Sequence, residues 1–264
     1  MILWIDGAHS PADQMARDAA LLAAAERGAA PVLRLFRFRP PGITLGYAQD
    51  PARVLDLARC AAAGVPWAVR PTGGRAIFHA EEWTYAFAAP RADPLGAGTL
   101  AECYARVSGW IAGSLARLGV PARLAGGRTV AERPEDGGHA ARALRQGPCF
   151  ASTARHEIVL AGRKLVGSAQ RRTARAVLQQ GSVLLGDGHL ALADCLALAP
   201  DARARTRRML EAAATHAGPW LGADPPLERW AAALLPGLPA GTVVVRDEAG
   251  ETLLAPEPAP ARFA

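Results

Sequence analysis

Of the thirty Lys and Arg side chains in this 264-residue chain, only Lys164 is a lysine. A guanidinium stays protonated at any working pH, whereas an ammonium loses its proton once its surroundings lower its pKa. A lone lysine in an arginine-rich background therefore points to proton transfer or to a compact point charge. Cys149 lies fifteen residues upstream, in Gly147-Pro148-Cys149-Phe150, between a polar, glycine-rich stretch and an apolar run. A thiol in such a loop is within reach of substrate, and a nearby cation favours the thiolate, the nucleophilic form. A cysteine and a lysine that exchange protons are a minimal pair for acyl transfer. Free cysteines are also common as inert core residues, so residue type alone leaves both roles open for Cys149.

Three segments carry the rest of the chemistry. The first runs from Arg70 through Pro71-Thr72-Gly73-Gly74-Arg75 to His79. Its two glycines permit close backbone approach and expose N–H groups, and Arg70 and Arg75 suit a carboxylate or phosphate. It matches neither a Walker loop nor a G-x-G-x-x-G fingerprint. The second is Gly162 to Gln170, where Gly167, Ser168 and Ala169 offer small residues for an acyl channel and backbone N–H donors for an oxyanion. The third is Leu178-Gln179-Gln180-Gly181-Ser182, in which Gly181 interrupts a strand pattern and signals a bulge or the close approach of a ligand.

Elements must position these segments. Ile2 to Ile5 reads as a short strand. Ser10, Pro11 and Asp13 start a helix that runs to about Arg27. Val32 to Phe38 alternates as a strand. Pro51 to Ala63 reads as one helix closed by Gly64. Trp67 to Arg70, Ala76 to Phe78 and Trp83 to Ala88 read as strands around the glycine loop. Thr99-x-x-Glu102 is a capping box for an amphipathic helix ended by Gly119. Gly126 to Gly147 reads as a mobile loop. His156 to Leu160 and Lys164 to Val166 form a hairpin over Ala161-Gly162, and Val177 to Leu185 is a further strand. Helices follow from about His189, from Ala202 to His216 and from Pro226 to Leu235. Thr242 to Arg246 and Thr252 to Leu254 suggest a terminal hairpin, and Pro256 to Ala264 a frayed tail. Hairpins and helices in this order predict an α+β domain with a mixed, mostly antiparallel sheet flanked by helices.

Composition sets the outer bounds. Half the residues are hydrophobic, enough for a sizeable core. No apolar run approaches the roughly eighteen residues of a membrane span, and the N-terminus lacks the pattern of a signal peptide. The expectation is a cytoplasmic protein without membrane association. Cys60, Cys103, Cys149 and Cys195 are too widely spaced for a disulfide framework or a zinc site, and Cys60, Cys103 and Cys195 fall on apolar helix faces. The formal charge of +6 suits an acidic partner. The aromatic-interleaved basic stripe of an RNA binder is missing, so no nucleic acid is expected.

Taken in order, Arg70-Pro-Thr-Gly-Gly-Arg-Ala with Thr84-Tyr85, Cys149-Phe150 with Glu157-Ile158, Gly162-Arg-Lys-Leu-Val-Gly-Ser-Ala-Gln170 and Leu178-Gln-Gln-Gly-Ser182 resemble the biotin/lipoate protein ligase and octanoyltransferase family. Arg34-x-Phe36-x-Phe38 and Leu45-Gly46-Tyr47-x-Gln49 resemble its N-terminal segment, so the likeness covers roughly residues 10 to 200. Within the family, a Cys-Phe pair ahead of the lysine is similar to the LipM-type octanoyltransferases. The resemblance implies the biotin/lipoyl ligase catalytic-domain fold, with residues 1–220 as catalytic domain. Residues 221–264 would add a helix, a short hairpin and a tail packed on it.

The resemblance also implies a nucleophilic Cys149, with Lys164 lowering its pKa. Arg70, Gly73, Gly74, Arg75, His79, Gly167, Ser168, Ala169, Gly181 and Ser182 would surround the substrate. The implied reaction moves an octanoyl group from acyl carrier protein to a lysine of a lipoyl domain, on a glycine cleavage H protein or a dehydrogenase E2 subunit. It serves protein lipoylation and needs neither metal nor ATP. The alternative within the family is an ATP-dependent lipoate–protein ligase, using ATP and Mg, in which Lys164 holds a lipoyl-adenylate. About 60 residues follow position 200, fewer than the large accessory domain of some ligases needs, which favours the transferase. A single copy of the pattern makes a monomer the default. The chain departs from the family pattern at Gln180, where His is common, at Ala19, where an acidic residue commonly follows the aspartate, and at His156, where an aromatic is common.

Overall fold

A computed structural model describes residues 1–125, 157–222 and 224–254. Strand β1 (Ile2–His9) leads into helix α1 (Pro11–Glu26), which Ser10 caps by accepting from the Asp13 N–H at 3.2 Å. The chain returns in β2 (Val32–Phe38), parallel to β1. Next come β3 (Gly42–Leu45), two short helices α2 (Pro51–Val54) and α3 (Leu57–Ala62), β4 (Trp67–Val69), β5 (Ile77–His79) and β6 (Glu82–Pro90). Helix α4 (Leu100–Arg117) has its capping box formed in both directions, Thr99 with Glu102. Strands β7 (Arg123–Leu124), β8 (Ile158–Leu160), β9 (Arg163–Arg172) and β10 (Ala176–Leu184) follow. The last elements are α5 (Leu192–Cys195), α6 (Pro200–Ala213), α7 (Gly218–Leu221), α8 (Leu227–Leu234), β11 (Val243–Arg246) and α9 (Glu248–Glu251).

The main sheet has eight strands in the order β11-β1-β2-β6-β10-β9-β8-β7. Only β11, β1 and β2 run parallel to their neighbours; every other pairing in it is antiparallel. A three-stranded sheet, β4-β3-β5, stands beside it. This is the mixed, mostly antiparallel α+β architecture that the hairpin pattern predicts. No helix among the described residues is long and apolar enough to cross a membrane.

Alternating side chains divide the main sheet into two buried faces. One presents Leu33, Leu35, Trp83, Tyr85 and Phe87 to α4 and α8, with Trp83 stacked on Trp230 at 5.1 Å. The other presents Trp4, Phe36, Ala86, Ala88 and Leu178 to α1. Each large apolar side chain withdrawn from water in this way contributes about 1.5–3 kcal/mol. Both faces of β6 and β10 are covered, so neither strand shows solvent alternation.

Four local expectations need correction. Pro51 to Ala63 is not one helix: Leu55 turns extended, buries itself and pairs with Leu196, and Asp56 then caps α3 through the Arg59 N–H. β1 does not stop at Ile5, because the charge of Asp6 is met by Arg34 on β2. The segment from His189 starts as a 3-10 turn, Gly188–Ala191, before α5. Thr242 to Leu254 forms no hairpin. β11 pairs instead with the otherwise open edge of β1, and Asp247, at φ 44°, turns the chain back so that Gly250 covers the Trp4 indole. A Cβ at Gly250 would sit 1.9 Å from Trp4 Nε1, and Thr252–Leu254 ends as a 3-10 turn. The segments Gly126 to Gly147 and Pro256 to Ala264, with Cys149 and His156, lie outside the described residues.

Candidate active site

A narrow cleft opens between α1, the three-stranded sheet and the middle of the main sheet. Its apolar walls are Met15, Phe36, Phe38 and Ile77. Its other walls come from three segments singled out in the sequence: Arg70 and His79, then Gly167, Ser168 and Ala169, then Gln180, Gly181 and Ser182.

Sheet register explains why those segments meet. β10 lies between β6 and β9, and Gly181 is opposite both Tyr85 and Ser168. No register shift occurs at Gly181, so it marks no bulge. A Cβ there would sit 2.5 Å from Tyr85 Cε1 and 2.6 Å from Ser168 Oγ. The glycine is a notch across which the Tyr85 hydroxyl and Ser168 Oγ meet at 2.8 Å. Gln179 donates to the same Tyr85 oxygen at 3.1 Å. Burial raises the Tyr85 pKa against these hydrogen bonds, which keeps the phenol protonated. Ser168 therefore lends the cleft its place in β9, while its hydroxyl is engaged by Tyr85.

Arg70, expected from its type to meet a carboxylate or phosphate, also holds the glycine loop together. It is buried, and its guanidinium donates to the carbonyls of Gly73 (2.7 Å), Arg75 (2.9 Å) and Thr44 (3.1 Å). These bonds tie the glycine loop to β3. Gly74 has φ 91°, and a Cβ there would come within 2.7 Å of an Arg70 nitrogen. Glycine is thus required at Gly74 both by conformation and by the arginine packed against it. Gly73, Gly74 and half-buried Arg75 stand beside the cleft, with Gly74 against Ala169.

His79 is a buried wall stacked on Phe38 at 3.9 Å. Its Nδ1 faces Glu82 Oε1 at 2.5 Å and its Nε2 faces Thr44 Oγ1 at 2.7 Å. The same carboxylate oxygen accepts from Thr84 at 2.7 Å and Ser182 at 3.0 Å. Ser182 thus belongs to a network that fixes the imidazole. A second buried network crosses the cleft floor. Arg34 donates to Asp18 and Asp6, both at 2.6 Å. Asp18 also accepts from Gln180 at 2.5 Å, and Gln180 accepts from Thr72 at 2.5 Å. Burial raises the Asp18 pKa, with the Arg34 charge opposing it.

Lys164 is buried on β9, three residues before the cleft-lining Gly167. Its ammonium donates to Glu157 Oε1 at 2.6 Å, and Glu157 is itself buried. The Lys164 carbonyl accepts from Thr215 at 2.9 Å, which ties the strand to the segment after α6. A buried charge with a fixed counter-ion holds its place, because breaking a buried ion pair is costly. Cys149 lies outside the described residues.

The structure thus brings together Arg70, His79, Gly167, Ser168, Ala169, Gly181 and Ser182. Sequence reasoning gave no role to Asp18, Thr44, Glu82 or Glu157, although Glu157 is among the residues that carry the family resemblance. Glu82 and Glu157 did carry a signal, as acids at the starts of apolar strand runs, Glu82 directly after Glu81. Among the described residues no group of three or more His, Cys, Asp or Glu side chains could hold a metal ion.

Residues 10–238 match the family model described as "Lipoyl protein ligase A/B catalytic domain". The chain is similar to octanoyltransferase LipM of Kyrpidia tusciae, 36% identical over 93% of this chain and 88% of that protein. It is 39% identical to octanoyltransferase LipM of Symbiobacterium thermophilum over 69% of this chain, a match that spans only 64% of that relative's length. Among solved structures, a bi-partite lipoate protein ligase from Thermoplasma acidophilum superposes with a TM-score of 0.68 at 16% identity, covering 96% of this chain and 89% of the other. Lipoate-protein ligase A bound with ATP gives 0.67 at 18% identity, covering 96% and 93%. At such identities the likeness concerns the fold.

Proposed function

This chain belongs to the lipoyl protein ligase A/B catalytic-domain family and is an acyltransferase, and from that premise we propose that it moves an octanoyl group from acyl carrier protein to a lysine of a lipoyl domain through a thioester on Cys149. The structural observation that supports this reading most is the buried Lys164–Glu157 pair on the strand that continues into the cleft. A lysine held there keeps one donor committed to Glu157 and places a positive charge at a fixed point, the environment that lowers a thiol pKa.

In the first half-reaction the Cys149 thiolate attacks the thioester carbonyl, and the carrier thiol leaves with a proton. In the second, the acceptor amine attacks the Cys149 thioester, loses its proton, and the thiolate is restored. Lys164 stabilises the thiolate in the free enzyme. Backbone N–H groups near Gly73-Gly74 or Ser168-Ala169 would meet the oxyanion of each tetrahedral intermediate. The apolar walls Met15, Phe36, Phe38 and Ile77 would take the alkyl chain. Thioester to amide is downhill, so the reaction as proposed draws on neither ATP nor metal. The acceptor would be a lipoyl domain such as that of a glycine cleavage H protein or a dehydrogenase E2 subunit, and the working unit a monomer in the cytoplasm.

The test is intact-mass measurement after mixing the protein with octanoyl acyl carrier protein without ATP. An octanoyl adduct that hydroxylamine removes, that Cys149→Ala lacks and that passes to an apo lipoyl domain is the expected result. No adduct, with lipoyl-domain modification only once lipoate and ATP are supplied, would overturn the transferase reading in favour of an ATP-dependent ligase.

A further inference from the structure

Tyr47 is the most exposed large hydrophobic side chain among the described residues, at 63%, yet its backbone is tightly held. Its N–H donates to Thr72 O at 3.0 Å, and the preceding Gly46 is packed so closely on the glycine loop that a Cβ would fall 2.1 Å from Gly74 O. Gln49 closes the turn, its side chain accepting from the Gly46 N–H at 3.0 Å and its N–H donating to Gly46 O at 2.8 Å. The Tyr47 ring lies over Gly73. Arg171, exposed on β9, holds its guanidinium 5.8 Å from the ring centroid and donates to Pro71 O at 3.0 Å. Three separate segments thus converge on one rigid platform. It borders the cleft, because Gly74 packs against Ala169, which lines it.

With its backbone fixed and its side chain 63% exposed, Tyr47 keeps a large aromatic surface open to a partner beside the cleft. Tyr and Arg are the residue types that dominate the centres of protein interfaces, since they bring much contact area at little entropic cost. The platform is also cationic, with the exposed Arg171 guanidinium on it. That charge repels an arriving lysine ammonium and attracts an acidic surface. The acceptor must bring a lysine cation past this charge, whereas the donor brings an uncharged thioester, which makes the donor the better fit to this face.

We propose that Tyr47 and Arg171 form the docking anchor for the acidic carrier protein that delivers the acyl thioester. This rests on the transferase reading above. The mechanism given there leaves both residues without a part in bond making.

The test compares wild type with Tyr47→Ala, Arg171→Glu and the double variant. Steady-state rates are measured with octanoyl acyl carrier protein and with octanoyl-pantetheine as donors, and the KM for the apo lipoyl domain is measured separately. The expected result is a rise of about tenfold or more in KM for the carrier protein, the size of a moderate interface hot spot. Rates with the small thioester and the KM for the lipoyl domain stay unchanged. Unchanged KM for the carrier protein overturns the proposal. A parallel loss with octanoyl-pantetheine overturns it too, by placing the pair inside the reaction site. A shift confined to the lipoyl domain gives the platform to the acceptor instead. Wild type inactive with the carrier protein would sink the transferase reading and this proposal together, and would be seen before any variant is assayed.

Discussion

The Lys164 ammonium donates to Glu157 Oε1 at 2.6 Å with both side chains buried. Glu157 immediately precedes β8 and Lys164 lies near the start of β9, so the pair closes the hairpin as well as fixing a charge. Replacing Glu157 with Ala breaks a buried ion pair and is expected to cost about 3–5 kcal/mol, read by urea denaturation. Glu157→Gln keeps an acceptor and loses less stability. Under the proposed mechanism both variants slow formation of the acyl-enzyme.

Gly181 should tolerate no side chain. Gly181→Ala forces Tyr85 or Ser168 to move and is expected to cost about 1–3 kcal/mol. Combining it with Tyr85→Leu removes the closest obstruction, so the double variant should lose less than the sum of the two single losses. Thermal and denaturant unfolding of the four proteins of that cycle would measure the coupling. Strict additivity would show that the ring does not press on this position.

The described cysteines should be unreactive. Burial raises the thiol pKa of Cys60 and Cys103, and pushes that of Cys195 up to about 12. The thiolate is the reacting species, so iodoacetamide at pH 8 should leave all three unmodified in the native protein and alkylate them once it is unfolded. Cys149, as the proposed nucleophile, should be modified first. Peptide mass mapping over time distinguishes the four sites.

Asp18 makes stability fall as pH rises. Its folded pKa is raised from 3.8, chiefly by burial, so above pH 3.8 the folded state holds a proton that the unfolded chain has released. The stabilisation from that proton is fully present below 3.8 and is lost as pH climbs through the raised folded value. Measured against Asp18→Asn, the melting temperature of the wild type should therefore compare better near pH 4 than near pH 7. An opposite trend would mean that Arg34 outweighs burial at this carboxyl.

Much of the scaffold was legible because its signals are local. Ser10, Thr99 and Glu102 announce helix starts through atoms only three residues away, and the alternation of Val32 to Phe38 marks a strand with its limits. The glycine loop and Gly181 were legible as places of close approach, and Gly167 to Ala169 as small residues that could line a channel. What occupies those spaces was not. Gly181 accommodates Tyr85 and Ser168 from two neighbouring strands, and sheet register alone determines that meeting. Arg70 reads as an anion binder by type, yet its donors meet loop carbonyls, because the loop curls around it. Gln180 stands out in sequence only as a departure from His; in the structure it links Asp18 to Thr72. The terminal hairpin failed for a related reason. β11 looks like half of a local pair, but the stronger demand was the unpaired edge of β1.

That last pairing bears on how the molecule is assembled. Ile2 is matched with Val243, and Trp4 bonds Asp247 across 243 positions of sequence. During synthesis β1 leaves the ribosome long before β11, and β2 can cover one of its flanks at once. The other flank keeps its unpaired N–H and C=O groups until β11 has been made. Contacts this distant are slow to form, and an open strand edge invites association with other chains. The interval between translating β2 and translating β11 is therefore when a nascent chain of this protein is most exposed to aggregation, and when a chaperone would protect it most.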